Sequence, residues 1–222
     1  MSGTLHVVGT PIGNLQDITL RALQVLRDCD AVIAEDSRRT RALLSAHGIS
    51  NQVLSLPAYD EARRIPALLE RLTAGAELAL CSDAGTPVVS DPGAQLVRAA
   101  RDAGHEVVAV PGASALTAAV SISGLRADTV TFLGFLPRTP GKLVRTVQRV
   151  LHPGTTVVFF ESPLRLGRTL RLLSELLGER EVQVARELTK LHESVLVGTA
   201  AELAARFAER SPRGECTVLI EG

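Results

Sequence analysis

The sequence predicts an α/β protein with two tandem domains and mainly parallel sheets. Short β-branched runs alternate with amphipathic segments along the whole chain, which is the pattern that βαβ units produce. A Pro-Gly pair at residues 111 and 112 interrupts this alternation near the middle of the 222 residues. Since domains of roughly 100–200 residues are common, the length allows two small domains, predicted at residues 1–111 and 112–222.

The composition is that of a globular protein and excludes a fibre, a disordered tail and a disulfide scaffold. Hydrophobic residues make up 45% of the chain, and 24 Lys and Arg balance 24 Asp and Glu. With no net charge, any contact with a polyanion must come from a local patch. The three cysteines, Cys29, Cys81 and Cys216, are an odd number and lie far apart. We interpret them as buried thiols in a reducing compartment and, with no secretory signal visible, expect a cytoplasmic protein.

An uncharged stretch at residues 107–125 has about the length of a membrane-spanning helix. The Pro-Gly pair divides it, and four hydroxyl side chains would face lipid. A buried strand, a turn and a helix of small residues fit this stretch better.

The first half of the chain is predicted to hold five strands and their connecting helices. The first helix is expected to start near Asp17 as N-cap residue and to bury Leu20, Leu23 and Leu26. Glycines that follow helical segments predict helix ends; they are Gly48, Gly75 and Gly104. The predicted strands are 5–8, 31–34, 53–56, 78–81 and 107–110, and the later helices are 38–47, one ending at residue 73, and 93–103.

The second half repeats the alternation. The run at residues 155–160 is apolar on both faces of the pleat, as a sheet covered on both sides requires. The predicted helices are 113–122, 141–151, 163–177 and 200–209, and the predicted strands are 130–135, 155–160, 181–185, 194–198 and 216–221.

Five loops that follow predicted strands are rich in Gly, Pro and polar residues. Ligands of open α/β sheets bind outside the carboxyl ends of the strands, so these loops are the candidate binding elements. The loops are residues 9–14, 35–38, 82–87 with 91–93, 111–115, and 161–163. In the third loop, glycines and prolines bracket Asp83 and Asp91, which lets the backbone approach a ligand closely. A plain turn with capping aspartates is the alternative for that loop.

Two common nucleotide-binding motifs are not met. Gly9 and Gly13 are four residues apart and Pro11 stands between them, so the dinucleotide fingerprint fails. Lys142 follows a glycine but precedes Leu143, so the phosphate-binding loop of nucleoside triphosphatases is excluded as well.

Nucleophilic and metal chemistry have little support in the sequence. Ser114 follows a glycine at the right spacing for a nucleophile elbow, but the second glycine is missing. A small residue or helix cap is therefore the simpler interpretation of Ser114. The five histidines never occur four residues apart and the cysteines form no pairs, so we predict no metal site.

The segment from residue 137 to 171 is strongly basic. It holds seven basic residues and one acidic residue, Glu161. Their spacing places two sets of three on one helix face each, and such faces suit a phosphate backbone. Two solvated helix faces are the simpler alternative. The basic residues are Arg138, Lys142, Arg145, Arg149, Arg165, Arg168 and Arg171. With five Phe and one Tyr in the chain, base stacking is not expected to be the main mode of recognition.

Several motifs together resemble one known family. They occur at residues 8–19, 34–38, 82–87, 90–93, 134–137, 159–163 and 185–190. In this order, and over residues 5–222, they resemble the ribosomal RNA small subunit methyltransferase I family, a branch of the tetrapyrrole methylase superfamily.

The resemblance implies a tandem two-domain fold, a homodimer, and S-adenosylmethionine held in the cleft between the domains. It also implies methylation of a cytidine ribose 2′-hydroxyl in small-subunit (16S) ribosomal RNA, either naked or within the 30S subunit. Transferred residue by residue, the implied cofactor contacts are Ile12, Asp83, Ala84, Gly85, Thr86, Ser114, Ala115, Phe160, Arg186 and Leu188.

A ribose hydroxyl is a weak acid, so methyl transfer to it benefits from a base or a polarising group. Charged candidates at strand ends are Glu35, Asp36, Glu161, Glu187 and Lys190. We favour Glu187 and Lys190 as catalytic residues, with Asn14 and Glu35 in positioning roles. The alternative is that Glu35 or Asp36 only pairs with a neighbouring arginine. The expected RNA contacts are Arg38, Arg138, Lys142, Arg145, Arg149 and Arg165.

The chain departs from the family's usual pattern at three places. Residues 57–61 lack its histidine-rich segment, Leu164 stands where a histidine is usual, and the sequence ends at Gly222 without a further helical segment. Two other functions stay open at this stage. One is methylation of a porphyrin or corrinoid precursor, which needs no basic helix faces. The other is a hydrolase or a non-catalytic module that binds the cofactor.

Overall fold

The computed structural model describes residues 2–209 and 214–222. Its internal contacts divide the chain into two compact units, Met1–Ser114 (unit 1) and Ala115–Gly222 (unit 2). The domain junction that the sequence places after residue 111 stays a prediction.

Unit 1 is built on a sheet of five parallel strands. The strands are β1 (Thr4–Val8), β2 (Ala31–Ala34), β3 (Val53–Ser55), β4 (Leu78–Cys81) and β5 (Glu106–Val110). They lie in the order β3-β2-β4-β1-β5, and every pairing is parallel. Because all strands run the same way, the loops that follow them meet at one edge. We call it the unit 1 edge.

Four helices cover this sheet. They are α1 (Leu20–Asp28), α2 (Ser37–Ala46), α3 (Glu61–Thr73) and α4 (Ala94–Asp102). The glycines predicted to end the three later helices do so, because each adopts the positive φ that a side chain disfavours: Gly48 at 65°, Gly75 at 94° and Gly104 at 81°.

The predicted start of α1 is wrong. Asp17 lies in a separate 3-10 turn, Leu15–Asp17, and Thr19 is the N-cap residue, its Oγ1 accepting a hydrogen bond from the Ala22 N–H at 3.1 Å. Leu20, predicted to be buried, is 86% exposed. At 100° per residue, Leu20 lies about 200° around the helix from buried Ala22 and so faces away from the core.

The core of unit 1 lies on both faces of the sheet. Because side chains alternate along a strand, Leu5 of β1 joins Leu72 and Leu96 beneath α3 and α4, whereas Val8 joins Leu26 beneath α1. The burial of both faces agrees with the continuous apolar strands seen in the sequence.

In its described residues, unit 2 contains a second five-stranded sheet and four helices. The helices are α5 (Ala115–Ser123), α6 (Pro140–Gln148), α7 (Pro163–Leu177) and α8 (Ala200–Glu209). The strands are β6 (Val130–Phe135), β7 (Thr156–Glu161), β8 (Val182–Arg186), β9 (Ser194–Gly198) and β10 (Cys216–Glu221). Their order is β6-β7-β10-β8-β9.

This second sheet is mixed. Only β6 and β7 pair in parallel, while β10 runs antiparallel between β7 and β8, and β9 is antiparallel to β8. Among the strands that the structure describes, five of eight pairings are parallel, so the prediction of mainly parallel sheets holds for the whole fold but not for unit 2.

Because β10 inserts antiparallel, the edge of the second sheet combines strand ends of both directions. The carboxyl ends of β6, β7 and β8 meet the amino ends of β9 and β10 at one edge, which we call the unit 2 edge. At this edge, Cys216 of β10 pairs with Glu161 of β7 on one side and with Arg186 of β8 on the other, and Arg186 also pairs with Ser194 of β9.

The three cysteines are buried free thiols, as the sequence predicts. Burial raises the pKa of Cys29 to about 11, of Cys81 to about 12 and of Cys216 to about 11. Of the helices in the described ranges, none is both long and apolar enough to cross a bilayer.

Candidate functional site

Two glycines bring the loops after β1 and β5 into contact at the unit 1 edge. A Cβ added to Gly9 would lie 2.7 Å from the backbone nitrogen of Gly112, and one added to Gly112 would lie 2.7 Å from the oxygen of Gly9. These distances leave no room for any side chain at either position. Gly9 and Gly112 therefore serve a close approach of two backbones.

A pair of backbone hydrogen bonds joins the loops after β1 and β4. The Thr10 N–H donates to the oxygen of Gly85 at 2.8 Å, and the Gly85 N–H donates back at 3.1 Å. Gly85 has φ +80° and a Cβ there would lie 3.2 Å from Cγ2 of buried Ile12. The Thr86 hydroxyl donates to the oxygen of Ala113 at 3.3 Å. Three loops of unit 1 that hold residues predicted to bind the cofactor are thus brought together.

The loop after β4 is more than a plain turn. Val88 and Ser90 have φ of 75° and 68°, a region that side chains other than glycine rarely adopt. Such conformations persist where surrounding contacts hold them and cluster at ligand-binding segments.

Carboxylates gather at the ends of β2 and β4. An oxygen of Asp83 accepts a hydrogen bond from the Asp36 N–H at 2.9 Å, and Arg39 lies 3.6 Å from its other oxygen. Burial, together with the charges of Asp83 and Asp91, raises the pKa of Glu35 above its usual value.

Asp36 and Arg38 form an exposed ion pair at 2.9 Å. The hydrogen bond from Arg38 lowers the pKa of Asp36 to about 2. Asp36 therefore pairs with a neighbouring arginine, as the alternative interpretation states. Arg38, which was expected to contact RNA, is bound by Asp36, the N-cap residue of its own helix.

Asn14 has a local role that the sequence did not predict. Its side-chain oxygen accepts a hydrogen bond from the Gln16 N–H at 3.1 Å and so caps the 3-10 turn. Asp17, in the same turn, has a buried carboxylate oxygen with no partner in the described part of the chain. From the sequence, Asp17 was predicted only to cap a helix.

At the unit 2 edge, Lys190 lies between two carboxylates. Its ammonium group donates to Glu187 at 2.8 Å and to Glu215 at 2.9 Å. The Glu187 carboxylate also accepts the backbone N–H of Glu215 at 2.9 Å. Sequence reasoning missed Glu215, because only the antiparallel insertion of β10 brings it to this place.

The pKa values of Glu187 and Lys190 disfavour proton transfer from the lysine to the glutamate. The hydrogen bond from Lys190 lowers the pKa of Glu187. For Lys190, burial lowers the pKa, but hydrogen bonds to Glu187 and Glu215 outweigh it and the net pKa is raised. At neutral pH the pair is ionised, so Lys190 is a fixed positive charge and Glu187 a weak proton acceptor.

The backbone around this pair is unusual. Glu187 and Thr189 have φ of 52° and 66°, on either side of buried Leu188. Opposite them, Gly214 has φ +89°, and a Cβ there would lie 2.0 Å from the carboxyl carbon of Glu187. The segment after β8 is held in a conformation that needs a glycine across from it.

Glu161 is buried and supports α7 and its first turn. Its oxygens accept hydrogen bonds from the Ser162 N–H at 2.8 Å and the Thr169 hydroxyl at 2.6 Å, and Arg165 lies at 3.4 Å. Arg165 also donates to the backbone oxygen of Leu136 at 3.1 Å. This arginine therefore ties α7 to the segment after β6, a structural role beside the RNA contact predicted for it.

The other basic residues of the two predicted faces are exposed. On α6, Leu143 and Val147 face the core, whereas Lys142 and Arg145 share the outer face with Arg149, the C-cap residue of the helix. The exposed members of the whole set are Arg138, Lys142, Arg145, Arg149, Arg168 and Arg171. We call Lys142, Arg145 and Arg149 the α6 basic face.

Charge is distributed unequally between the units. Residues 1–114 hold 10 basic and 13 acidic side chains, and residues 115–222 hold 14 and 11. A neutral protein thus has one acidic and one basic unit. Within residues 2–209 and 214–222, no three His, Cys, Asp or Glu side chains are arranged to hold a metal ion.

A parallel α/β sheet whose strand-end loops are brought together, followed by a mixed sheet with its own polar edge, is the architecture of a class of methyltransferases. The chain belongs to the Tetrapyrrole (Corrin/Porphyrin) Methylases, whose family model matches residues 4–204. The fold and the family resemblance predicted from the motifs are thereby confirmed, and the chain is a methyltransferase.

Relatives with a more specific name cover nearly the whole chain. A Thermotoga maritima protein is 46% identical over 99% of this chain and 99% of its own length, and a Xylella fastidiosa protein is 45% identical over 99% and 82%. Both are named Ribosomal RNA small subunit methyltransferase I. A solved structure of uroporphyrin-III C-methyl transferase from Thermus thermophilus, complexed with S-adenyl homocysteine, shares the fold with TM-score 0.69 at 20% identity, covering 99% of this chain and 97% of that one.

Proposed function

We propose that the chain transfers a methyl group from S-adenosylmethionine to the 2′-hydroxyl of a cytidine ribose in small-subunit ribosomal RNA. The α6 basic face is the observation that favours RNA over a porphyrin precursor as the substrate. It places three exposed cations in a row on the basic unit of a neutral protein. They extend over about 10 Å of helix, which suits successive phosphates of one strand. The names of the two relatives agree with this substrate.

The residues at the unit 1 edge fit a cationic cofactor. S-adenosylmethionine carries a sulfonium and an ammonium charge, and the carboxylates of Glu35, Asp83 and Asp91 supply negative charge at this edge. A bound cation stabilises the ionised carboxylates in return. The proposed contacts in unit 1 are Ile12, Asp83, Ala84, Gly85, Thr86 and Ser114, and those in unit 2 are Ala115, Phe160, Arg186 and Leu188.

When bound, the cofactor supplies an already activated methyl group, so the protein mainly aligns the acceptor. An ammonium group has three N–H donors, and Lys190 uses two of them on Glu187 and Glu215. We assign the third to the oxygen of the substrate hydroxyl, where it stabilises the negative charge that develops as the hydroxyl proton passes to water. Glu187 then positions Lys190, while Glu35 and Asn14 keep the positioning roles proposed from the sequence.

The reaction is tested with methyl-labelled cofactor and three acceptors: 30S subunits, naked 16S RNA, and a porphyrin precursor. We expect label in the RNA, and label confined to the porphyrin precursor would contradict the proposal. Lys190→Met should lower single-turnover methyl transfer about 100-fold, the size expected for one polarising group, with cofactor affinity unchanged. Lys142, the only other lysine, gives the matched control: Lys142→Met should raise KM for RNA and leave the rate at saturating RNA unchanged.

We further propose that the protein acts as a homodimer in the cytoplasm. The family resemblance supports the dimer, and the buried free thiols support a reducing compartment. Sedimentation equilibrium at micromolar concentration measures the oligomeric state directly.

A further inference from the structure

Three large apolar side chains are exposed at the unit 2 edge. Phe135 ends β6, Leu164 lies in the first turn of α7 after β7, and Leu191 lies in the loop after β8. They are 58%, 84% and 93% exposed. Each follows a different one of the three strands whose carboxyl ends meet at this edge. Apolar residues that converge on one edge mark a contact surface more strongly than scattered ones do.

Phe135 is held in a fixed orientation despite its exposure. Its ring packs edge to face on Phe160, with centroids 5.7 Å apart, and Phe160 packs on Phe132 at 4.9 Å. The pairing of β6 with β7 shifts register between Phe132 and Phe135, and Gly134 has φ +61°. Irregularities of this kind redirect a side chain at the end of a strand. The outermost of three edge-to-face rings is thus presented to solvent.

Positive charge begins immediately beyond this ring. Arg138 follows Phe135 by three residues and is exposed, and the α6 basic face starts at Lys142. A rigid aromatic ring beside a row of cations is the arrangement that binds single-stranded nucleic acid, since bases stack on the ring while phosphates meet the charges. A second copy of the chain fits less well, because a two-fold interface here would bring the basic faces together.

We propose that Phe135 is a stacking platform for an unpaired nucleobase of the RNA substrate, with Leu164 and Leu191 as further apolar contacts at the unit 2 edge. The inference rests on the proposed function and adds a specific contact to it. The base must be unpaired, because a base within a duplex does not present its face. One platform agrees with the low aromatic content of the chain, since phosphate contacts still supply most of the affinity.

The chain contains no tryptophan, so Phe135→Trp introduces a single fluorescent reporter at the platform. We expect a single-stranded fragment of small-subunit ribosomal RNA to quench its fluorescence on binding, because a nucleobase stacks on the indole. Val197→Trp is the matched control: Val197 is 56% exposed on β9 of the same unit, and its fluorescence should stay unchanged. Quenching that is equal in both variants, or absent in both, overturns the proposal.

A second variant, Phe135→Leu, keeps an apolar side chain and removes the flat ring. We expect the Kd for the same RNA fragment to rise about 5- to 150-fold, the range for losing one stacked base. The salt dependence of binding and the affinity for S-adenosyl homocysteine should be unchanged. Wild-type RNA affinity in Phe135→Leu overturns the proposal. So does a loss of S-adenosyl homocysteine affinity equal to the loss of RNA affinity, or a change in sedimentation. A loss of binding to anionic vesicles that matches the loss of RNA binding also overturns it. Failure of the proposed function is distinguishable, because the wild-type enzyme then leaves the RNA unmethylated.

Discussion

Glu187 packs so closely against Gly214 that a Cβ added to the glycine would lie 2.0 Å from the carboxyl carbon of Glu187. This close approach brings the strained segment after β8 to the residues just before β10, where the Glu215 N–H donates to the carboxylate that holds Lys190 at 2.8 Å. Local geometry at one glycine therefore controls the position of the proposed polarising group.

Gly214→Ala should separate Glu187 from Lys190 and lower single-turnover methyl transfer at least 10-fold. Gly154→Ala is the matched control, because Gly154 has φ +81° and open space around it, against φ +89° at Gly214. Both variants should lose about 1–2 kcal/mol of unfolding free energy from the left-handed backbone alone. Wild-type activity in Gly214→Ala would show that the position of Glu187 is unimportant.

Glu35→Gln should stabilise the protein at neutral pH. Because the pKa of Glu35 is raised on folding, the folded state binds more protons than the unfolded state between the usual pKa and the raised one, so stability falls as pH rises through that window. The glutamine removes this loss, and the gain in unfolding free energy should disappear below about pH 4, where the glutamate is protonated in both states. Urea unfolding of the wild type and of Glu35→Gln at pH 4 and pH 7 measures this gain in unfolding free energy.

The same substitution should weaken cofactor binding, because it reduces the negative potential at the unit 1 edge. We expect the Kd for S-adenosylmethionine to rise about 3- to 10-fold, the size of a modest electrostatic contribution. Calorimetry of the wild type and of Glu35→Gln provides the comparison. Unchanged affinity would remove Glu35 from the cofactor site.

Charge reversal on the α6 basic face should weaken RNA binding and reduce its salt dependence. The double variant Arg145→Glu, Arg149→Glu removes two proposed phosphate contacts, so the slope of log K against log salt should fall by about 1–2. Arg206 is an exposed arginine on α8 of the same unit, and Arg206→Glu should leave the slope unchanged. A double variant with the wild-type slope contradicts the assignment.

Arg165 and Arg168 lie on the same helix but should behave differently. Arg165→Ala leaves buried Glu161 without its arginine and frees two backbone oxygens, at a cost of about 1–3 kcal/mol of unfolding free energy. Arg168→Ala, at an exposed position, should change stability by less than about 0.5 kcal/mol. Equal stability of the two variants in thermal unfolding would contradict the structural role of Arg165.

The element order was predictable because local signals determine it. Glycines at positions 48, 75 and 104 ended helices as predicted, and the strand at residues 130–135 has the predicted bounds. The start of α1 was not predictable in this way, since Asp17 and Thr19 are both good caps and only packing selects between them.

The two edges differ in how far the sequence could predict them. At the unit 1 edge every strand is parallel, so the rule that loops gather at the carboxyl ends was sufficient to bring Ile12, Gly85 and Ala113 together. At the unit 2 edge Glu215 comes from the start of a strand that inserts antiparallel. No local signal specifies that insertion, because strand order depends on long-range packing. The residue roles proposed at both edges remain predictions.

The position of the methyl group on the RNA tests the central claim most directly. After reaction with labelled cofactor, 16S RNA is hydrolysed in alkali, which cleaves next to a free 2′-hydroxyl but not next to a methylated one. We predict that the label is recovered in an alkali-resistant dinucleotide whose first residue is cytidine. Label recovered in single nucleotides would place the methyl group on a base and contradict the account.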